Sequence, residues 1–243
     1  MDQEQRDSYR AFLAERRSQL VERIEAAAAR AGRDPHEVEL LAVSKTVGDA
    51  EVELAHEVGY SLFGENRPQE LKRKAGAVAL NPALADVRFH MIGNLQKNKI
   101  NQVLGNAELV HSVSSLHLAA AIASRASAKG MVVPCLLEVN VSGEDSKSGF
   151  APSQAEAAVL EVLGLEGIEL KGLMTMAPAR DAQAARWTFS GLRDLRDGLR
   201  ARTGVGLDVL SCGMSGDFEI AVEEGSTLVR LGRIVFDPAY EDV

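Results

Sequence analysis

Aromatic residues and cysteine are scarce in this sequence. Phe, Trp and Tyr together make up 5% of the 243 residues, so the core must be built mainly from aliphatic side chains. There are two cysteines, Cys135 and Cys212. Two thiols make no disulfide framework, and neither has the spacing of a zinc site. Both lie within apolar runs, "VVPCLLEVN" and "LDVLSCGMS", where a thiol reads as a small buried hydrophobe. Basic charge is in deficit: 27 Lys and Arg stand against 35 Asp and Glu, a net charge of −8. That balance argues against nucleic-acid and membrane-surface binding, which need clustered cations to neutralise phosphate. The one dense basic run, residues 72–74, reads as a solvated helix face. No apolar run approaches the ~18 residues of a membrane span. The N-terminus, "MDQEQRDSYRAFLAERRSQL", is charged from the start and carries no apolar signal core. A cytoplasmic protein is expected.

What is present is a rhythm. Residues 3–31 predict one long helix with an apolar stripe of Phe12, Leu13, Leu20, Val21 and Ile24, ended by Gly32 and Pro35. Strand patterns and helix patterns then alternate. "VELLAVSKT" leads to "DAEVELAHEVG", and "SLFGEN" leads to "RPQELKRKAGAVA", with Pro68 in a tolerated first-turn position. "RFHMIG", "LVHSVS", "VVPCLLEVN", "IELKGLMTM" and "LDVLSCGMS" are each followed by a helix, and "TLVRLGRIVF" closes the series. Eight such steps in this length predict a (β/α)8 barrel; a doubly wound open sheet, which shows the same alternation, is the rival. No Pro- or Ser-rich linker marks a boundary, so residues 1–243 are expected to form one domain. Residues 1–33 would pack on the barrel as an extra helix, in place of a helix after the last strand.

In a barrel, chemistry sits at the C-terminal strand ends. Read in order, those ends present Lys45, Glu65, Asn66, His90, His111, Asn140, Thr175, Ser215 and Arg230. "SCGMSGDFEIAVEEG" passes from a strand through a Gly and Ser turn into a helix, with Asp217 as candidate N-cap. Free amides at Ser215 and Gly216 would form an anion site favoured by the helix dipole, or simply an ordinary cap. Lys45 is either a lysine whose tip reaches water or an amine with a task. Within a barrel interior it would be held more as the free amine, the form that attacks an aldehyde. Lysine and phosphate cradle together point to pyridoxal phosphate. Arg230 would face the pyridine nitrogen and keep it unprotonated, or else pair with Asp208 or Glu138.

The stretches "LLAVSKT", "FGENRPQE", "HMIGNLQKNK", "GLMTM", "LSCGMSGDFEIAVEEGST" and "VRLGR" resemble the pyridoxal phosphate homeostasis protein family over about residues 38–236. These are relatives of the alanine racemase barrel. The resemblance implies a fold-type III TIM barrel that binds pyridoxal 5′-phosphate (PLP), buffers it and delivers it within the cell, without established turnover. It implies Lys45 as the Schiff-base lysine and Asn66 as a neighbour of the cofactor. Ser215 and Gly216 match the phosphate turn, Arg230 the arginine at the pyridine nitrogen, and Gly232 and Arg233 the second phosphate loop. His90 and "GNLQKNK" match a third loop of open role. The family commonly has threonine where Arg233 stands and glycine where Asp237 stands. An arginine at 233 would keep the backbone contact and could add a charge-assisted bond to phosphate.

Two other functions share these features. An amino-acid racemase needs a second proton carrier across the substrate. In alanine racemases this is a tyrosine from a partner subunit, with a β-rich second domain. Tyr9, Tyr60 and Tyr240 are not expected at the mouth, which leaves His90 or Cys212 as stand-ins. The third reading is a barrel for another phosphate ligand, with Lys45 as a plain charge. The homeostasis reading implies transient contact with PLP-dependent enzymes, and the absence of a racemase-type dimerisation domain leans toward a monomer.

Overall fold

The computed structural model describes residues 1–144 and 147–241. Eight parallel strands pair in sequence order and close on themselves. They are β1 (Glu39–Val43), β2 (Leu62–Glu65), β3 (Arg88–Met91), β4 (Leu109–Val113), β5 (Val133–Glu138), β6 (Ile168–Met174), β7 (Val209–Ser211) and β8 (Leu228–Leu231). Closure runs from Glu39 opposite Leu228 to Ala42 opposite Leu231. The fold is therefore the barrel and not the doubly wound sheet, since an open sheet has no pairing between its first and last strands.

The helices follow the sequence rhythm. They are α1 (Gln3–Arg30), α2 (Asp49–Glu57), α3 (Pro68–Ala79), α4 (Ile100–Val103), α5 (Leu116–Ser127), α6 (Ala155–Leu163), α7 (Ala182–Thr203), α8 (Phe218–Glu223) and α9 (Arg233–Phe236). The helix after β8 is one short turn. As expected, α1 packs against α8 and α2 and so completes the outer ring where β8 meets β1. A capping box starts α1: the Gln5 amide donates to Asp2 Oδ1 at 2.8 Å and the Asp2 amide to Gln5 Oε1 at 3.0 Å. Leu13, Leu20, Ile24, Ala27 and Ala28 form its buried stripe. Full burial of each leucine is worth about 1.5–3 kcal/mol, enough to hold the helix on the barrel.

Alternate strand residues separate into two cores. Ala42, Phe63, Phe89, Val110 and Leu137 face outward and join the buried faces of the helices. Leu41, Val43, Leu62 and Leu228 gather into a separate cluster, as do Leu109, Leu136 and Met174. These fill the barrel interior in layers. Above them the interior turns polar.

One expectation fails in the helix layer. Residues 72–74 do not form a solvated face. Lys72 and Arg73 are exposed, but Lys74 is buried to 2% exposure, with Nζ 2.6 Å from Glu65 Oε1. The helical period turns Lys74 inward beside Leu71, onto the back of the sheet.

Candidate functional site

Lys45 follows β1 by two residues. Ser44 extends the strand by one more bond, its amide donating to Gly64 O at 3.0 Å, and is fully buried. The alternation of β1 then carries Lys45 to the barrel mouth, where the residue is exposed. Among the described residues its Nζ has no hydrogen bond or ion pair. The residue is thus not enclosed by the barrel interior. Asn66 follows β2 and is half-buried. Its backbone is clamped by the turn after β3: a Cβ on Gly93 would meet Asn66 O at 2.3 Å. The glycine of "HMIG" is thus a close-approach position.

The turn after β7 has the expected form with one correction. Gly213 takes φ +95°, and a Cβ there would meet Ala221 Cβ at 2.6 Å, so this bend requires glycine. Asp217 occupies the N-cap position of α8, but its side chain makes no bond to the helix. Its Oδ1 accepts instead from the Met214 amide at 2.6 Å, behind it in the chain. That bond closes the turn and leaves the amides of Ser215 and Gly216 without acceptors among the described residues. The Ile234 amide donates to Ser215 Oγ at 3.4 Å, which joins this turn to the start of α9. The first bond of α9 comes from the Val235 amide to Gly232 O, at 2.9 Å. The Arg233 amide therefore precedes the helical ladder and has no acceptor among the described residues. Ser215, Gly216, Gly232 and Arg233 are thus brought to one place. The Arg233 guanidinium lies over the Tyr240 ring, 5.5 Å from its centroid. The guanidinium thus stands beside the tail, and the backbone joins the amide cluster.

Arg230 lies deeper, at 6% exposure. It pairs with neither Asp208 nor Glu138. Nη1 donates to Ser211 Oγ at 2.5 Å and Nη2 to Thr175 O at 3.1 Å. Ser211 Oγ is 2.9 Å from His111 Nδ1, and His111 Nε2 is 2.9 Å from His90 Nδ1. β4 and β7 are not neighbours, so the bond between His111 and Ser211 must cross the interior. His90 and His111 therefore do not face the mouth as expected; they form a buried chain beneath it. Burial, and then the charge of Arg88, holds His90 down to about 3. Burial, with His90 and Arg230 nearby, holds His111 well below the usual imidazole range. Both rings are neutral. Burial also lowers Arg230, against the opposing pull of Cys212, Asp217 and Glu138.

Other strand-end residues serve the scaffold. Glu65 turns outward to Lys74. Thr175 Oγ1 donates to Val139 O at 2.7 Å. Asn140 holds its own loop, with Nδ2 donating to Glu144 O at 2.9 Å and Oδ1 accepting from the Gly143 amide at 3.0 Å. Cys135 and Cys212 are free and buried, as expected, and burial raises their thiols to about 12 and about 11. Cys212 is thus poorly suited to carry protons. Tyr9 donates to Phe236 O at 2.8 Å, and the buried Tyr60 precedes β2.

Of two further residues at the mouth, Glu138 was named from sequence only as a possible partner of Arg230, and Lys147 was not singled out. Glu138, at 2% exposure, follows the inward-facing Leu136 by two, and Arg230 acts on it electrostatically. Among the described residues its Oε2 has no hydrogen-bond partner, and burial raises its carboxyl above the usual range. Lys147 donates to Met176 O at 3.1 Å and to Ser142 Oγ at 3.2 Å, and its charge reaches Asp217. The only sequence signal for Glu138 was its place at the end of an apolar strand. Lys147 sits in a Ser- and Gly-rich loop whose course the sequence does not define.

An exposed amine, a set of unfilled amides and a buried guanidinium without a carboxylate partner thus converge at one barrel mouth. The chain matches the family described as alanine racemase, N-terminal domain, over residues 16–238. It is 40% identical over 223 residues to the pyridoxal phosphate homeostasis protein of Aquifex aeolicus, covering 91% of this chain and 96% of that one. Among solved structures, PipY of Synechococcus elongatus with PLP bound superposes with a TM-score of 0.79 at 30% identity, covering 92% of this chain and 99% of that one. The alanine racemase of Clostridium difficile 630 shares the fold, with a TM-score of 0.71 at 16% identity, covering 97% of this chain and 58% of the racemase. The chain has the alanine racemase-type barrel and belongs to the pyridoxal phosphate homeostasis protein family.

Proposed function

We propose that this protein binds PLP at the barrel mouth, linked covalently through Lys45, and holds and releases it in the cytoplasm without catalytic turnover. The observation that carries this reading is that an exposed Lys45 amine and the buried guanidinium of Arg230, neither with a carboxylate partner among the described residues, share one mouth. PLP supplies an aldehyde that condenses with an amine, a phosphate and a pyridine nitrogen, and the residues present fit each. The amides of Ser215, Gly216 and Arg233, with Ser215 Oγ and the backbone of Gly232, suit the phosphate. Arg230 has N–H groups left over from Ser211 and Thr175 to offer the ring nitrogen. Asn66, at the end of β2, would border the ring. The PLP-bound state of PipY supports this assignment.

The same residues disfavour racemisation. Arg230 would keep the ring nitrogen unprotonated and weaken it as an electron sink. Tyr9 is engaged with Phe236, Tyr60 is buried before β2, and Tyr240 lies against Arg233. An open mouth leaves Lys45 accessible to solvent and to an acceptor, which suits release to PLP-dependent enzymes by a protein acting as a monomer. Addition of PLP to the purified protein should produce a visible absorption band of a lysine adduct, lost in Lys45→Ala. Binding of PLP and of inorganic phosphate with no such band would favour a plain phosphate site.

A further inference from the structure

The ends of β1 and β2 carry Lys45 and Asn66 on their inner face. The residues just before them, Ser44 and Glu65, face the other way, and one buried cation joins them. Lys74 Nζ donates to Ser44 O and to Glu65 Oε1, each at 2.6 Å. Ser44 Oγ donates to the same Glu65 Oε1 at 2.6 Å. Ser44, Glu65 and Lys74 are exposed by 0%, 0% and 2%. Lys74 comes from α3, whose first turn begins directly after β2.

We propose that the Glu65–Lys74 ion pair positions Lys45 and Asn66 for the ligand, and that Lys74 and Glu65 are positioning residues of this site. A buried ion pair is weak as a source of stability, because desolvation offsets its attraction. Its directional bonds do something an apolar pair cannot. Lys74 holds the carbonyl that leads into Lys45, and Glu65 is covalently next to Asn66. The two strand ends are thus fixed to each other through three short bonds on the face opposite the ligand. Gly93 closes on the Asn66 backbone from the third strand. Lys45 itself has no side-chain partner among the described residues, so its backbone anchor is what aims it.

This inference rests on the reading that Lys45 takes PLP. Its test compares two ligands that differ at one group. PLP can bond covalently to Lys45; pyridoxine 5′-phosphate carries an alcohol in place of the aldehyde and cannot. Lys74→Met should slow formation of the borohydride-trappable Lys45 adduct on the order of ten- to a hundredfold, the scale of a misplaced reacting group. Affinity for pyridoxine 5′-phosphate should change far less, by only a few-fold, because its phosphate and Arg230 contacts come from the ends of β7 and β8 and only Asn66 among its neighbours is displaced. Lys74→Met leaves Glu65 unpaired and could unfold the barrel. The double variant Glu65→Gln with Lys74→Met removes both charges and should melt cooperatively with the same selective loss. Adduct formation at the wild-type rate in either folded variant would overturn the proposal. Equal loss for both ligands would also overturn it, since that marks a general structural role. Failure of the wild-type protein to form an adduct would instead sink the proposed function.

Discussion

Arg230 Nη1 donates to Ser211 Oγ across 2.5 Å inside the barrel, and the same hydroxyl stands 2.9 Å from His111 Nδ1. The hydroxyl accepts from the guanidinium and keeps one proton to donate. With that proton on His111 Nδ1, His111 carries its own on Nε2 and donates to His90 Nδ1. In that arrangement every bond of the chain is made with both rings neutral.

Ser211→Ala should cost about 1–3 kcal/mol of stability, because it leaves His111 Nδ1 and one Arg230 donor unsatisfied in a buried place. Ser211→Thr keeps the hydroxyl and should recover most of that loss. Urea unfolding of the three proteins checks this. A loss under about 0.5 kcal/mol in the alanine variant would mean that the interior relaxes around the missing hydroxyl.

The neutral histidines set an acid limit. The unfolded chain takes up their protons near pH 6.5, whereas folded His90 does so only near about 3, and His111 likewise well below its usual value. Between those limits the unfolded chain binds more protons, so stability falls as pH falls, by up to about 1.4 kcal/mol per pH unit per ring. Glu138 and Asp217, raised by burial, act with the opposite sign and gain stability as pH falls through the carboxylate range. His90→Gln should therefore flatten the fall in unfolding free energy between about pH 6 and pH 4 by roughly 1 kcal/mol per unit. An unchanged slope in stepped-pH denaturation would show that His90 is protonated in the folded barrel.

Ser215 joins the turn after β7 to α9, and its hydroxyl stands among the free amides. Ser215→Ala should weaken PLP binding by about 1 kcal/mol, or several-fold, while the backbone donors remain. Binding of pyridoxal, which lacks the phosphate, should change much less. Equal weakening of both ligands in parallel titrations would remove the phosphate role from this turn.

Turnover should be slow or absent. Exchange of solvent deuterium into Cα of L- or D-alanine should stay near the background of free PLP. Saturable exchange with kcat in the usual enzyme range of ~1–10³ per second, abolished by Lys45→Ala, would make the protein a racemase.

The barrel was legible because parallel strands buried on both faces read as apolar runs, and helix patterns, most of them closing on glycine, alternate with them. Lys45, Arg230 and the turn at 214–217 were legible because position along a barrel strand already fixes the end of the barrel. Facing was less legible. Glu65 and Asn66 are adjacent in sequence, yet one points to α3 and the other lies at the mouth. Lys74 looked like surface because it stands in a basic run, and only the helical phase against β2 turns it inward. His90 and His111 looked like mouth residues because the depth of a side chain depends on the stagger between strands, which no local pattern reports. The Arg233 contact with Tyr240 depends on the path of the tail.

The central claim is that Lys45 is the residue that takes PLP. Incubation with PLP, borohydride reduction and peptide mass mapping test it most directly. The pyridoxyl mass should fall on the peptide that contains Lys45 and be lost in Lys45→Ala. A pyridoxyl group on Lys147 or another lysine with Lys45 unmodified would contradict the account.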